Sequence, residues 1–148
     1  MRVTTAMLAD AATVAEGKLY VHGGGWDVIN TAAVPTTHPM LSLVFVIEFE
    51  WSESHVDRTL RVSLHDEDDE PLSVGAVGTL NVGHPPGAVH GAPVLESFAL
   101  PFPAITFPRA GRYCFRVAID ETELTRVRFG VRVLPRMPSG PAVSSDRS

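Results

Sequence analysis

Apolar and polar residues alternate in several stretches of this sequence, and that period of two constrains the fold more than any other feature of the chain. Leu41, Leu43, Phe45, Ile47, Phe49 and Trp51 fall on one face of an extended segment, with Ser42, Glu48, Glu50 and Ser52 among the alternate positions. A long half-buried strand is expected there. Leu60, Val62 and Leu64 alternate with Thr59, Arg61, Ser63 and His65, and the acidic run Asp66 to Glu70, closed by Pro71, then reads as a tight hairpin connection. The pattern returns in Tyr113, Phe115, Val117 and Ile119, and again in Val127, Phe129, Val131 and Val133, with Asp120 to Glu123 as the turn between them.

Weaker strand signals cover 3–8, 18–22, 26–30, 72–82 and 97–107, which makes about nine strands. Residues 10–16 lean towards a helical turn capped by Asp10, but Gly17 ends it after too few residues for an independent helix. Twelve glycines and twelve prolines supply turns between short strands. One-sided strands at this spacing must bury their apolar faces against each other, so the expected fold is all-β: an antiparallel β-sandwich, jelly-roll or immunoglobulin-like, with little or no helix. Pro101, Pro103 and Pro108 place residues 95–108 at a sheet edge or in an irregular crossing. A chain of 148 residues has room for one such domain, expected over 1–134, followed by a Pro/Ser/Gly-rich tail, 135–148, expected to be disordered.

Two further segments resemble a known family. The run Met7-Leu-Ala-Asp-Ala-Ala12 followed by Glu16-Gly-Lys-Leu-Tyr-Val-His-Gly-Gly-Gly-Trp26 resembles the N-terminal signature of an uncharacterised family of small bacterial proteins, a domain of unknown function. Gly111-Arg-Tyr-Cys-Phe-Arg-Val-Ala-Ile-Asp120 resembles that family's last hairpin. The resemblance implies a fold and a bacterial setting, and it brings no activity or catalytic residue. Eleven arginines against one lysine, with abundant Ala, Val, Gly and Pro, suggest GC-rich coding of the actinobacterial kind.

The chemistry expected of the chain is sparse. A single cysteine, Cys114, excludes an internal disulfide framework and a cysteine-rich zinc site, and fits a cytoplasmic location. Neither a secretory leader nor a membrane-spanning run is expected, so no membrane partner is either. The net charge of -5 argues against a nucleic-acid binder that works by phosphate neutralisation. No Gly-x-Ser-x-Gly elbow is present, and Cys114 lies in a strand without a basic helix terminus to activate it. Gly23, Gly24 and Gly25 lack the following helix that a phosphate-cradling loop needs, and read as a turn or bulge beside the large Trp26 ring.

Six histidines show neither a His-x-His pair nor a His-Glu-x-x-His motif, so no metal and no cofactor is expected. The weak metal candidates are Asp66, Asp68 and Asp69, for calcium, although their spacing is not that of a dedicated calcium loop. Trp26, His84 and His90 are candidates for a ligand pocket.

Charge is distributed unevenly. Residues 45–70 hold nine acids and two bases, net -7, whereas 109–136 hold seven arginines and three acids, net +4. Alternation puts Arg112, Arg116, Arg126, Arg128 and Arg132 on one outer face of the last hairpin, where Glu48 and Glu50 could answer two of them. The reading that follows is a non-enzymatic interaction module that binds another protein or itself, as a homodimer, through this face. The alternative is a small-molecule or lectin-like sandwich, with calcium at the acidic run.

Overall fold

In the computed structural model, which describes residues 1–135, two β-sheets pack face to face around one core. The strands are β1 (Arg2–Ala15), β2 (Lys18–Trp26), β3 (Val28–Thr31), β4 (Thr36–Phe49), β5 (Asp57–Asp66), β6 (Pro71–Asn81), β7 (Val94–Phe107), β8 (Gly111–Ile119) and β9 (Thr122–Val133). One sheet has the order β2-β1-β4-β7 and the other β3-β9-β8-β5-β6. An all-β sandwich of nine strands is the architecture the alternation requires. Apart from Pro135, the tail expected to be disordered lies outside the described residues.

The core is built from the rows that the alternation marks. Leu41, Leu43, Phe45, Ile47 and Phe49 of β4 face Val62 and Leu64 of β5, Tyr113, Phe115, Val117 and Ile119 of β8, and Phe129 and Val131 of β9, all buried. Aromatic rings dominate the middle: Phe115 lies 5.2 Å from Phe102 and 5.8 Å from Phe129, and Phe107 meets Tyr113 edge-on at 4.9 Å. Offset and edge-on contacts of this kind add about 0.5–1.5 kcal/mol per pair to simple burial.

Four expectations need correcting. First, β4 is more than half-buried, because Ser42 and Val44 of its outer row are as inaccessible as its core row. The strand sits between β1 and β7, and Ala9 beside it is also fully buried. Second, residues 10–15 are strand, because β2 pairs along all of them, from Ala15↔Lys18 to Ala9↔Gly24. A cross-strand partner overrides the local preference for a capped turn. Third, the alternation does not carry on to Trp51: the chain leaves β4 at Phe49 and makes a 3-10 turn over Trp51–Glu53.

The fourth correction concerns strand direction. The pair β3–β9 is parallel, with Val28 opposite Gly130 and Thr31 opposite Val133. The chain crosses from the edge of one sheet to the edge of the other within a single residue, Asp27, whose carbonyl accepts from Gly130 N at 2.8 Å. The exit direction of β2 therefore sets the direction of β3, and no hairpin constrains it. The proline-rich β7 is a continuous edge strand of 14 residues, with Pro101 and Pro103 opposite Ser42 and Met40.

Candidate functional site: the arginine face of the last hairpin

The hairpin β8–β9 turns on Asp120 and Glu121, both at positive φ, which matches the twist of a two-residue hairpin loop. Its register puts Arg116 opposite Arg126 and Cys114 opposite Arg128. Tyr113, Phe115, Val117, Phe129 and Val131 turn inward to the core, so Arg112, Arg116, Arg126, Arg128 and Arg132 share the outer face, as the alternation implies. Like charges directly opposite one another are destabilising unless acids answer them.

The acids come from within the chain, but not from β4. Glu48 pairs with Arg2 in the other sheet, and Glu50 precedes the 3-10 turn, so neither answers the hairpin's arginines. The answering group is the acidic turn after β5, which the β5–β8 pairing (Asp66↔Tyr113, Ser63↔Arg116) delivers to this face. Asp69 pairs with Arg116, and Glu123 pairs with Arg126. Arg109, just before β8, bridges Asp66 at 2.9 Å and Asp68 at 3.1 Å.

Asp66 organises the turn. Its Oδ1 accepts from the amides of Asp68 at 2.9 Å and Glu70 at 3.0 Å, and its Oδ2 accepts from Arg109. Partial desolvation pushes this carboxyl up, but the Glu70 and Asp68 amides and the Arg109 guanidinium together outweigh it and hold the group below the usual aspartate range. The calcium candidates Asp66, Asp68 and Asp69 are thus each turned to an arginine, and no group of three or more potential ligands is assembled for a metal among the described residues. Cys114 sits among these side chains with its thiol pushed up by burial, despite Arg128, Arg126 and Arg116 nearby. A protonated thiol is a poor nucleophile.

Of the five arginines on this face, three have no ion-pair partner among the described residues: Arg112, Arg128 and Arg132. They border an open groove of about 600 Å³, shared with Asp27, Glu67, Cys114 and Gly130. The face therefore combines a satisfied half, against the acidic turn, with an unsatisfied half, towards β3.

The ligand-pocket candidates do not form one site. Trp26 is partly buried against the core edge, its ring 5.9 Å from His38, and its indole Nε1 is enclosed without a hydrogen-bond partner. His84 and His90 gather instead on Trp51: His84 stacks on that ring at 3.4 Å, and His90 lies tilted at 4.8 Å. His55 meets His84 edge-on at 4.7 Å. Trp51 and Arg109 are the residues that sequence reasoning misses. Trp51 is hidden by its fit to the β4 alternation, and Arg109 by its place in a turn whose neighbour only the β5–β8 pairing reveals.

The fold and this site define a small two-sheet β protein with a row of arginines on one outer face. The chain belongs to the family described as "Family of unknown function (DUF6941)", whose model matches residues 4–132. No curated protein matches it. Among solved structures it is similar to the Pseudomonas fluorescens alkylpurine DNA glycosylase AlkC bound to DNA containing an abasic site analog, at 15% identity and a TM-score of 0.39. That likeness covers 72% of this chain but only 27% of the glycosylase chain, and at that score it carries no argument.

Proposed function

We propose that this protein is a non-enzymatic interaction module of the bacterial cytoplasm whose arginine face takes an acidic segment of another protein. The observation that carries this reading is the row Arg112, Arg128 and Arg132, left without ion partners beside the groove while the neighbouring Arg109, Arg116 and Arg126 are paired. Guanidinium groups held on a rigid sheet present planar forks suited to carboxylates. The acidic turn beside them, together with the overall charge of -5, disfavours a long polyphosphate backbone and leaves room for a short acidic peptide. No helix among the described residues is long and apolar enough to cross a membrane.

Self-association through the same face has lost its electrostatic reason, because Asp66, Asp68 and Asp69 are already engaged by Arg109 and Arg116 of the same chain. The test is fluorescence anisotropy with a labelled Asp/Glu-rich peptide. Saturable, salt-sensitive binding that Arg128→Glu/Arg132→Glu abolishes supports the reading; equal binding by the variant, or none by the wild type at low salt, sinks it. The alternative of a small-molecule or carbohydrate site has one supporting observation, the aromatic cluster of Trp51, His84 and His90. A sugar-dependent change in tryptophan fluorescence that Trp51→Phe removes would favour it.

A further inference from the structure

Every sheet edge presents a row of backbone N–H and C=O groups with no partner inside the fold. Here the edges are β2, β7, β3 and β6. Three of them are blunted. β2 carries Lys18 and is bent where the register shifts opposite Gly25. β7 carries Pro101 and Pro103, which cannot donate, and the charged Glu96. β3 is only four residues long. β6 is eleven residues long; its register with β5 shifts between Gly75 and Pro71, but from Gly75 to Asn81 the pairing is regular, and from Leu72 to Gly83 the chain has no charged side chain at all. Val77, in the middle of that run, is 61% exposed.

The glycines of β6 sharpen the contrast. A Cβ at Gly75 would meet the carbonyl oxygen of Val62 at 2.5 Å, so the pairing with β5 itself requires glycine there. Nothing comparable applies to Gly78, which has no positive φ and no atom within 4 Å of where its Cβ would stand. It belongs to the core-facing row of Leu72, Val74, Ala76 and Leu80 and leaves a notch in that row at the sheet edge. Glycines inside strands often mark a bulge, a tight bend or a place where a ligand or another backbone approaches closely, and at Gly78 the open space at the sheet edge suits the last of these.

The segment around this notch is complementary to itself. With two copies antiparallel about Ala76, Val74 of one stands opposite Gly78 of the other, Val77 opposite Gly75, Ser73 opposite Thr79 and Leu72 opposite Leu80. Each bulky side chain meets a gap, the hydroxyls meet each other, and the leucines extend the core rows across the junction. That is the pattern of an isologous contact, in which one patch pairs with its own copy.

We propose that two copies of this chain pair along β6 about a two-fold axis at Ala76, joining their five-stranded sheets into one of ten strands. β5 separates β6 from the arginine hairpin, so the face proposed above to bind an acidic partner stays open in the dimer.

Sedimentation velocity across a concentration series tests this, with wild type beside Val77→Lys, Val77→Thr and Arg126→Glu/Arg128→Glu. Val77 is exposed, so the lysine leaves each monomer folded, which near-ultraviolet circular dichroism checks. A wild-type dimer that Val77→Lys dissociates, while Val77→Thr and the arginine variant keep it, supports the proposal. The register is tested by oxidation in a Cys114→Ala background. Ala76→Cys should cross-link to its own copy, whereas two cysteines at Ser73 would stand about 20 Å apart along the strands and stay reduced. A monomer at every concentration overturns the proposal. So does a dimer that only the arginine variant dissociates, or cross-linking through position 73 and not through 76.

Discussion

The two sides of the five-stranded sheet solve opposite problems. Towards β8 and β9 the outer face is crowded with charge, and half of its six arginines are answered locally: Asp69 holds Arg116, Glu123 holds Arg126, and Asp66 with Asp68 holds Arg109. On β6 itself there is no charge, although Arg61 of β5 stands beside Val77; every side chain of the strand is modest, and what lacks a partner at this edge is the backbone. A charge left over on a surface is still solvated and can wait for an occasional partner. A long uncharged edge is a standing template for another strand, and natural sheets guard such edges unless they use them. The same sheet thus offers a face suited to reversible electrostatic binding and an edge suited to a defined, permanent one.

The comparison depends on the two sides being one rigid body, and the largest expected effect tests that. Phe115 is fully buried at the centre of the aromatic cluster, so Phe115→Ala should cost about 3–5 kcal/mol in urea unfolding. Loss of β8 signals alone in hydrogen exchange, with β6 unaffected, would show two independently stable halves.

Next in size is Gly75→Val, which drives a branched side chain towards the Val62 carbonyl and should destabilise by roughly 1–3 kcal/mol, an overpacking cost, with the β5–β6 amides losing protection first. Gly78→Ala should act in the other direction on the monomer. Its Cβ enters open space, so the substitution stabilises by about 0.4–1 kcal/mol through the unfolded chain. The same methyl group fills the notch opposite Val74, so dimer dissociation should become easier as the monomer melts later. A Gly78→Ala variant in which monomer melting temperature and dimer affinity both rise, or both fall, breaks the proposed distinction between Gly75 and Gly78.

The charged side has a pH signature. Because the folded-state pKa of Asp66 is lowered, the turn contributes stability above the unfolded aspartate value of about 3.9, and loses it as pH falls through the lower folded value. Asp66→Asn should therefore melt earlier than wild type at pH 7, with the gap closing in acid. A gap that persists at pH 2 would assign the effect to turn geometry instead of charge. The smallest expected effect is chemical: the raised Cys114 thiol should alkylate with iodoacetamide more slowly than an unstructured peptide cysteine at pH 7.5, and rapid labelling of the folded protein would contradict its burial.

Much of this architecture is legible in the sequence alone. The alternating rows of β5 and β8 correspond residue for residue to buried positions, because a half-buried strand leaves its period in the sequence; in β9 Phe129 and Val131 are buried, but Val127 is only half-buried and Val133, at the strand's end, is exposed. The row of arginines is legible for the same reason. What answers them is not, since Asp66 to Asp69 reach Arg109 and Arg116 only through the β5–β8 pairing, which joins segments nearly fifty residues apart. Residues 10–15 carry a local cap signal that β2 overrides, and Trp51 fits an alternation that the chain abandons two residues earlier. Trp26, His84 and His90 share a chemistry, but packing sends Trp26 to His38 and the histidines to Trp51.

The single-residue crossing at Asp27 governs the order in which this molecule assembles. The antiparallel pairs β1–β2, β5–β6 and β8–β9 close short loops, and each can form early. The parallel pair β3–β9 joins Val28 to Gly130, about a hundred residues away, so its closure entropy is repaid only once both sheets exist to hold the ends together. Until that seam zips, the inner faces of the two sheets are open at one side, and its closure comes after the hairpins that it joins.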